Sequence, residues 1–259
     1  TIQNKNGYAS RETHKNQADM TEFTIQYNKA FKGGHSLNAL AGYSWNKNNN
    51  QEAFMDNYNF PTDDYSYNNM AAGTALKDGK ATEKTYQEEY KLVGYFGRIN
   101  YNYQGKYYLS ASIRHEGSSK FGADHKWGTF PAVSIGWNLK EESFLKNVNF
   151  LSFLKLRAGY GITGTIPGNP YLSLNTLDLG GYGYYGGQWT TLLRASSNPN
   201  PDLRWEKKKE TNIGLDFAFF NDRISGSIDW YNRDTDDLIW DYTVSVPPYV
   251  KNTITANAG

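Results

Sequence analysis

VGYFGRINYNYQGKYYLSASI, residues 93–113, is the stretch whose reading decides the fold. Taken two residues at a time, it sets Val93, Tyr95, Gly97, Ile99, Tyr101 and Tyr103 on one side. After Gln104-Gly105-Lys106, the residues Tyr107, Leu109, Ala111 and Ile113 follow in the same rhythm. A period of two belongs to a strand, whose successive side chains point to opposite faces. Two such runs joined by a short Gly-containing turn read as a hairpin.

Working outward, the same rhythm gives about eight strand segments. Phe23, Ile25 and Tyr27 precede Lys32-Gly33-Gly34, and Leu37, Ala39, Ala41, Tyr43 and Trp45 follow it. Beyond the central hairpin come Val133, Ile135, Trp137 and Leu139, then Leu154, Leu156, Ala158 and Tyr160. Ile213, Leu215, Phe217 and Phe219 turn through Asn221-Asp222-Arg223 into Ile224, Gly226, Ile228 and Trp230. These sides carry no charge, whereas the reverse sides hold Glu22, Arg98, Arg114, Glu116, Lys155, Arg157, Asp216, Asp229 and Arg233. A cation facing mid-bilayer lipid costs about 2–4 kcal/mol, so a lipid-facing wall excludes charge and a watery lumen need not. A soluble β-sandwich also alternates, and stands as the alternative at this point.

Connection lengths separate the two. Short connections at 28–36, 104–106, 140–153 and 220–223 interleave with long ones at 46–91, 117–126, 162–204 and from 234 onward. Outer-membrane barrels divide short periplasmic turns from long extracellular loops in this way. The fold class expected is all-β: an antiparallel transmembrane β-barrel, here an incomplete portion of about eight strands. The large loops and the lack of a closing strand signal at Ala258-Gly259 predict that residues 1–259 are one part of a wider barrel domain, with plug domain and closing strands absent. An open sheet leaves edges that lipid cannot satisfy, so the rest of the wall must come from elsewhere in the parent protein.

Composition agrees. Of 259 residues 38% are hydrophobic, with mean hydropathy -0.73. No run approaches the roughly 20 apolar residues of a spanning helix, and a barrel tolerates low hydropathy because only alternate residues meet lipid. Aromatic residues make up 16%, including 21 Tyr and 7 Trp, which suits interfacial anchoring. A net charge of +1 supplies no field for nucleic acid, and the absence of cysteine excludes a thiol nucleophile, a disulfide framework and a Cys-metal site. Thr1 is not a start methionine, and residues 1–28 hold no signal-peptide core, so processing or excision is expected to have removed the beginning.

Site motifs are few. Gly159-Tyr160-Gly161-Ile162-Thr163-Gly164 has dinucleotide-fingerprint spacing, but Thr165-Ile166-Pro167-Gly168-Asn169-Pro170 breaks the helix that the fingerprint needs. No cofactor is expected. His14, His35, His115 and His125 lack zinc-site spacing; His115-Glu116 and Asp124-His125 read as solvated loop residues, and no metal is expected. No spacing fixes a catalytic nucleophile, base and oxyanion donors together. The ligand candidate is 180–189, read as a flexible loop whose Tyr182, Tyr184, Tyr185 and Trp189 suit stacking on sugar rings, contact with a partner protein, or packing on one another.

Several longer stretches carry a resemblance. Arg114-His115-Glu116-Gly117-Ser118-Ser119-Lys120-Phe121-Gly122 and Trp127-Gly128-Thr129-Phe130-Pro131-Ala132-Val133-Ser134-Ile135-Gly136-Trp137 are similar to barrel segments of the SusC/RagA family of TonB-linked outer-membrane transporters. So are Leu154-Lys155-Leu156-Arg157-Ala158-Gly159-Tyr160-Gly161, Asn198-Pro199-Asn200-Pro201-Asp202-Leu203-Arg204-Trp205-Glu206, Thr211-Asn212-Ile213-Gly214-Leu215-Asp216-Phe217 and Asp229-Trp230-Tyr231-Asn232-Arg233. The resemblance covers residues 92–259; residues 1–91 match in style only. His115-Glu116 and Thr165 depart from the family's usual residues, which bears on loop contacts. What the resemblance implies is a non-enzymatic importer of the Bacteroidetes outer membrane for oligosaccharide or peptide. It implies a SusD-like surface lipoprotein as lid, and drive from TonB through the missing N-terminal plug region. Outer-membrane lipid is then a partner of the wall, and nucleic acid is not a partner. A passive porin or adhesin barrel and an outer-membrane hydrolase are the rival readings.

Overall fold

The computed structural model describes residues 5–258. Eight antiparallel strands form one sheet in the order β1 (Tyr8–Phe31), β2 (His35–Tyr58), β3 (Glu83–Tyr103), β4 (Tyr107–Ser118), β5 (Trp127–Asn138), β6 (Leu151–Thr165), β9 (Glu206–Phe219), β10 (Ile224–Asp236). Two ribbons lie outside it, β7 (Leu177–Tyr185) with β8 (Gln188–Ala195), and β11 (Leu238–Thr243) with β12 (Thr253–Ala258). The fold is the expected all-β antiparallel wall, and the eight expected segments fall on the strands of the large sheet except for Leu139, which follows β5 in a 3-10 turn. Among the described residues no helix is long and apolar enough to cross a membrane.

The turns follow from residues that accept left-handed backbone. Gln104 and Gly105, both at positive φ, close β3 onto β4, and Gly33 and Gly34 do the same for β1 and β2. Phe220, Asn221 and Asp222 are left-handed in succession before β10.

The chain divides into two compact units, Thr1–Met20 with Asn46–Tyr90 and Thr21–Trp45 with Lys91–Gly259. In the second unit the uncharged side of the wall has no cover within the chain: Ile25 is 79% exposed, Ile135 58% and Ile228 65%. Such a face belongs against hydrocarbon. Aromatic rings bound it at both ends. Tyr43, Tyr95, Trp127 and His115 form one row, and His35, Tyr103, Tyr107 and Trp137 the other. Trp127 and Trp137 begin and nearly end β5. Their separation is about 33 Å along a strand and about 25 Å along the normal at a tilt of about 40°, the height of a barrel's apolar band.

In the first unit the strands carry polar residues on both sides. Lys47 pairs with Glu89 at 2.8 Å, Asn50 donates to Glu88 at 2.9 Å, and Gln87 donates to Asn49 at 3.3 Å. The expected loop over 46–91 is therefore corrected: β2 runs to Tyr58 and β3 starts at Glu83. With both sides wet, no alternation marks these strands. Asn57 ties the true loop down, donating to the Met70 and Gly73 carbonyls at 2.8 and 2.9 Å and accepting from the Tyr58 and Leu76 amides.

Ile135 and Ser134 are adjacent, exposed and on opposite sides of β5. In the full-length receptor, Ile135→Arg is expected to cost roughly 2–4 kcal/mol and block assembly, while Ser134→Arg inserts normally. Heat-modifiable gel mobility of outer-membrane fractions reads the difference. Ala218 shares the charged side but is 6% exposed, so it is unsuited to the same test.

Candidate functional site

The charged side of the wall is the first part of the site. Arg157 on β6 reaches over Gly214 of β9, donating to Asp216 of β9 at 2.7 and 2.8 Å and to Asp229 of β10 at 3.1 Å. Arg114 donates to Glu116 at 2.8 Å and to Ser44 at 3.2 Å. Arg233 donates to Glu210 at 2.8 Å, and Lys208 pairs with Glu206 at 3.1 Å. With these four cations matched to carboxylates, what remains available is largely amide and hydroxyl. One groove of about 390 Å³ is lined by Asn38, Asn100, Ser110, Ser134 and Asn212 with Lys155 and Arg157, and an adjoining one of about 560 Å³ adds Ser112, Thr163 and the paired Lys208, Glu210 and Arg233. Lys155 lies over the Tyr108 ring at 4.5 Å. The arrangement can hydrogen-bond polar solutes.

The second part is a bracket of loops around a buried apolar cluster: Phe121, Phe130, Leu203 and Trp205, flanked by Ile162, Ile166, Leu172 and Ile239. Trp205 meets Phe121 and Phe130 at 5.0 and 5.1 Å between ring centres, and its indole N–H donates to the Lys126 carbonyl at 2.9 Å. Gly122 passes so close to residue 201 that a Cβ would sit 1.8 Å from the Pro201 carbonyl oxygen. Only glycine fits there. Lys120, 4% exposed, donates to the Pro167 and Gly168 carbonyls at 2.9 and 2.6 Å. Asn198 donates to the Lys251 and Thr253 carbonyls and accepts from the Val250 and Lys251 amides, docking the β11–β12 ribbon. Arg204 donates to Asp237 at 2.6 and 2.9 Å, and this hydrogen bonding, then its positive charge, holds the Asp237 carboxyl below its ordinary range. Strands β11 and β12 replace the loop expected from residue 234 onward.

The third part is the segment of Tyr182, Tyr184, Tyr185 and Trp189. The expectation of a flexible loop is corrected: it is the β7–β8 hairpin, closed by Gly186 and Gly187, both at positive φ. That is a two-residue turn whose Gly-Gly signal stands in the sequence. Tyr182 faces Thr191, Tyr184 faces Trp189 and Leu179 faces Leu193, with a register shift between Leu179 and Tyr182. Cross-strand partners share a side, so Leu177, Leu179, Tyr182, Tyr184, Trp189 and Leu193 all lie on one side of the ribbon, each more than half exposed. Tyr185 lies on the other side, where Arg194 pairs with Asp178 at 3.0 Å.

The remaining motifs resolve simply. Gly159–Thr165 is strand within β6 and no helix follows directly, so no phosphate cradle forms. His115 stacks on Trp127 and bonds Thr129, while His125 lies 3.8 Å from Asp202. His14 lies between Glu12 and Glu52, its Nε2 3.4 Å from the first and its Nδ1 3.8 Å from the second.

A wall with one bare apolar side between aromatic rows and one hydrogen-bonding side has the physical pattern of a membrane barrel. The family model described as TonB dependent receptor-like, beta-barrel matches residues 1–259. The chain belongs to that family. It is part of an outer-membrane TonB-dependent receptor barrel of the SusC/RagA type. The TonB-dependent receptor SusC of Bacteroides thetaiotaomicron is 43% identical over 189 residues, which are 70% of this chain and 18% of that protein. The TonB-dependent receptor P3 of Formosa agariphila is 36% identical over 234 residues, 90% of this chain and 23% of that protein. The chain thus spans 18% and 23% of the length of these curated relatives. The solved RagAB peptide transporter shares the fold, with a TM-score of 0.87 at 24% identity over 96% of this chain and 27% of that chain.

Trp205→Ala in the full-length receptor is expected to cost about 3–5 kcal/mol locally. Limited proteolysis should then cut near residues 168 and 198, while the heat-modifiable shift of the assembled barrel persists.

Proposed function

We propose that this chain is a portion of the single barrel domain of an energy-coupled importer for oligosaccharides. The parent supplies a plug domain and closing strands, TonB acts through the plug region, and a SusD-like surface lipoprotein forms the lid. The observation that carries the reading is the inner side of the wall, where Arg157, Arg114, Arg233 and Lys208 are matched to carboxylates and the grooves present mainly the neutral Asn38, Asn100, Ser110, Ser112, Ser134 and Asn212, with Lys155 beside them. Neutral donors and acceptors suit a polyhydroxylated solute, whose groups would otherwise lose water without replacement.

The β7–β8 hairpin then serves the lid rather than the sugar. Six large apolar side chains on one side of a ribbon approach one half of a standard protein interface, about 800 Å², far more than one sugar ring covers. A two-stranded ribbon is also marginal alone in water and gains from a covering surface. Tyr182, Tyr184 and Trp189 are its anchors, and Tyr185, on the other side, is left to solvent or substrate.

Two measurements test this. Titration calorimetry of the purified receptor with its lid should give oligosaccharide binding that weakens about fivefold in Asn212→Ala, as for one lost hydrogen bond of about 1 kcal/mol. Binding of peptides instead would overturn the substrate class, and uptake surviving loss of TonB would favour a passive porin. Trp189→Asp should lower co-purification of the lid at least tenfold, with Tyr185→Ser unchanged; equal recovery in both would remove the hairpin from the lid interface.

A further inference from the structure

The connection between β5 and β6 is built unlike the other tight turns at its end of the wall. It holds a 3-10 turn, Leu139–Glu141, and one helical turn, Ser143–Lys146, before β6. Both of its ends are fastened on the lipid-facing side. Glu142 accepts from the Tyr107 hydroxyl at 2.6 Å, the Trp137 indole at 3.1 Å and Lys106 at 3.4 Å. Tyr107 and Trp137 belong to the periplasmic aromatic row of that side. At the other end Phe150 stacks on Phe219 at 6.1 Å and lies 6.5 Å from Phe220. Phe219 continues the lipid-facing series of β9.

A segment held at both ends on the lipid side cannot hang freely into the periplasm. Lys140 stiffens it by donating to the carbonyls of Leu145, Lys146 and Val148 at 3.2, 3.2 and 2.9 Å. Yet its phenylalanines stay mostly uncovered, Phe144 65% exposed and Phe150 56%, as does the neighbouring Phe220 at 54%. Leaving more than half of each ring in water forfeits a large part of the roughly 1.5–3 kcal/mol that full burial of a phenylalanine provides, and the rim of a bilayer beside the lipid-facing wall is where that is recovered.

We propose that residues 142–150 form an interfacial foot, with Phe144 and Phe150 seated among inner-leaflet phospholipids and Glu142 pinning the foot to the periplasmic aromatic row. The foot fixes the height and rotation of this part of the wall against the bilayer. Among the residues around Glu142, Lys106 and Tyr107 face it, while Lys140, Glu141 and Lys146 lie along its own segment. Hydrogen bonds from Tyr107, then Trp137, hold its carboxyl below the ordinary range. A carboxylate whose folded pKa is depressed contributes above its unfolded pKa and loses that contribution as pH falls through the folded one. The pin therefore holds at neutral pH and is lost progressively as the pH falls from the ordinary glutamate pKa through the lowered one.

The test uses the full-length receptor in phosphatidylethanolamine–phosphatidylglycerol vesicles that carry a diazirine phospholipid, with adducts mapped by mass spectrometry. A probe near the acyl carbonyl should label the peptide holding residues 142–150, and a chain-terminal probe should label Ile135 and Leu215. Absence of carbonyl-probe adducts on 142–150 while Ile135 is labelled overturns the foot. Glu142→Ala should lower foot labelling at least threefold and leave Ile135 labelling intact. Unchanged foot labelling in that variant removes Glu142 as the pin.

Discussion

Everything in this wall depends on one constraint: a strand alternates its side chains with a period of two, and the two sides meet solvents that differ by several kcal/mol for a single charge. On β9 the constraint is visible residue by residue. Ile213, Leu215, Phe217 and Phe219 face one way, and Asn212, Gly214, Asp216 and Ala218 the other, with Asp216 held by Arg157 from the neighbouring strand. The pairing register carries this division from strand to strand: Leu215 opposes Leu156 on one neighbour and Ile228 on the other. A slip of one residue would turn a column of charges into hydrocarbon.

The hydrogen-bonding side follows as a consequence. Because charge is confined there, it has partners there, and cross-strand pairs such as Arg233 with Glu210 neutralise one another across the sheet. That leaves amides and hydroxyls as the chemistry offered to a solute. The loops solve a different problem. With no apolar core inside a barrel wall, the bracket of Phe121, Phe130, Leu203 and Trp205 supplies a small local one, and buried Lys120 and Asn198 spend their hydrogen-bonding capacity on loop carbonyls.

Where the two solvents meet on opposite sides of a strand, the sequence could be read. All eight wall strands, their sides and the tight turns at Gly33-Gly34 and Gln104-Gly105 follow from alternation and turn chemistry. Where both sides are wet, it could not. The polar halves of β1, β2 and β3 lack contrast, and an asparagine-rich run such as Asn46–Asn50 resembles a loop although Asn50 and Lys47 pair across strands. The β7–β8 hairpin was hidden by its glycines, which suggest flexibility unless Gly186-Gly187 is taken as a two-residue turn. The roles of Lys120, Gly122 and Asn198 depend on contacts between loops far apart in sequence, so they were marked only by family likeness and had no physical reason until the packing supplied one. Composition groups Tyr182, Tyr184, Tyr185 and Trp189 together, but that Tyr185 faces away from the other three depends on register, which composition does not carry.

The central claim is that hydrocarbon touches one side of each wall strand and water the other. Spin labels placed singly from Pro131 to Trp137 on β5 of the full-length receptor in bilayers measure this directly, by collision with oxygen, which concentrates in lipid, and with a polar nickel complex, which does not. Oxygen should dominate at Val133 and Ile135 and the nickel complex at Ala132, Ser134 and Gly136, a strict alternation of two. Equal accessibility at neighbouring positions, or the opposite phase, would contradict the account.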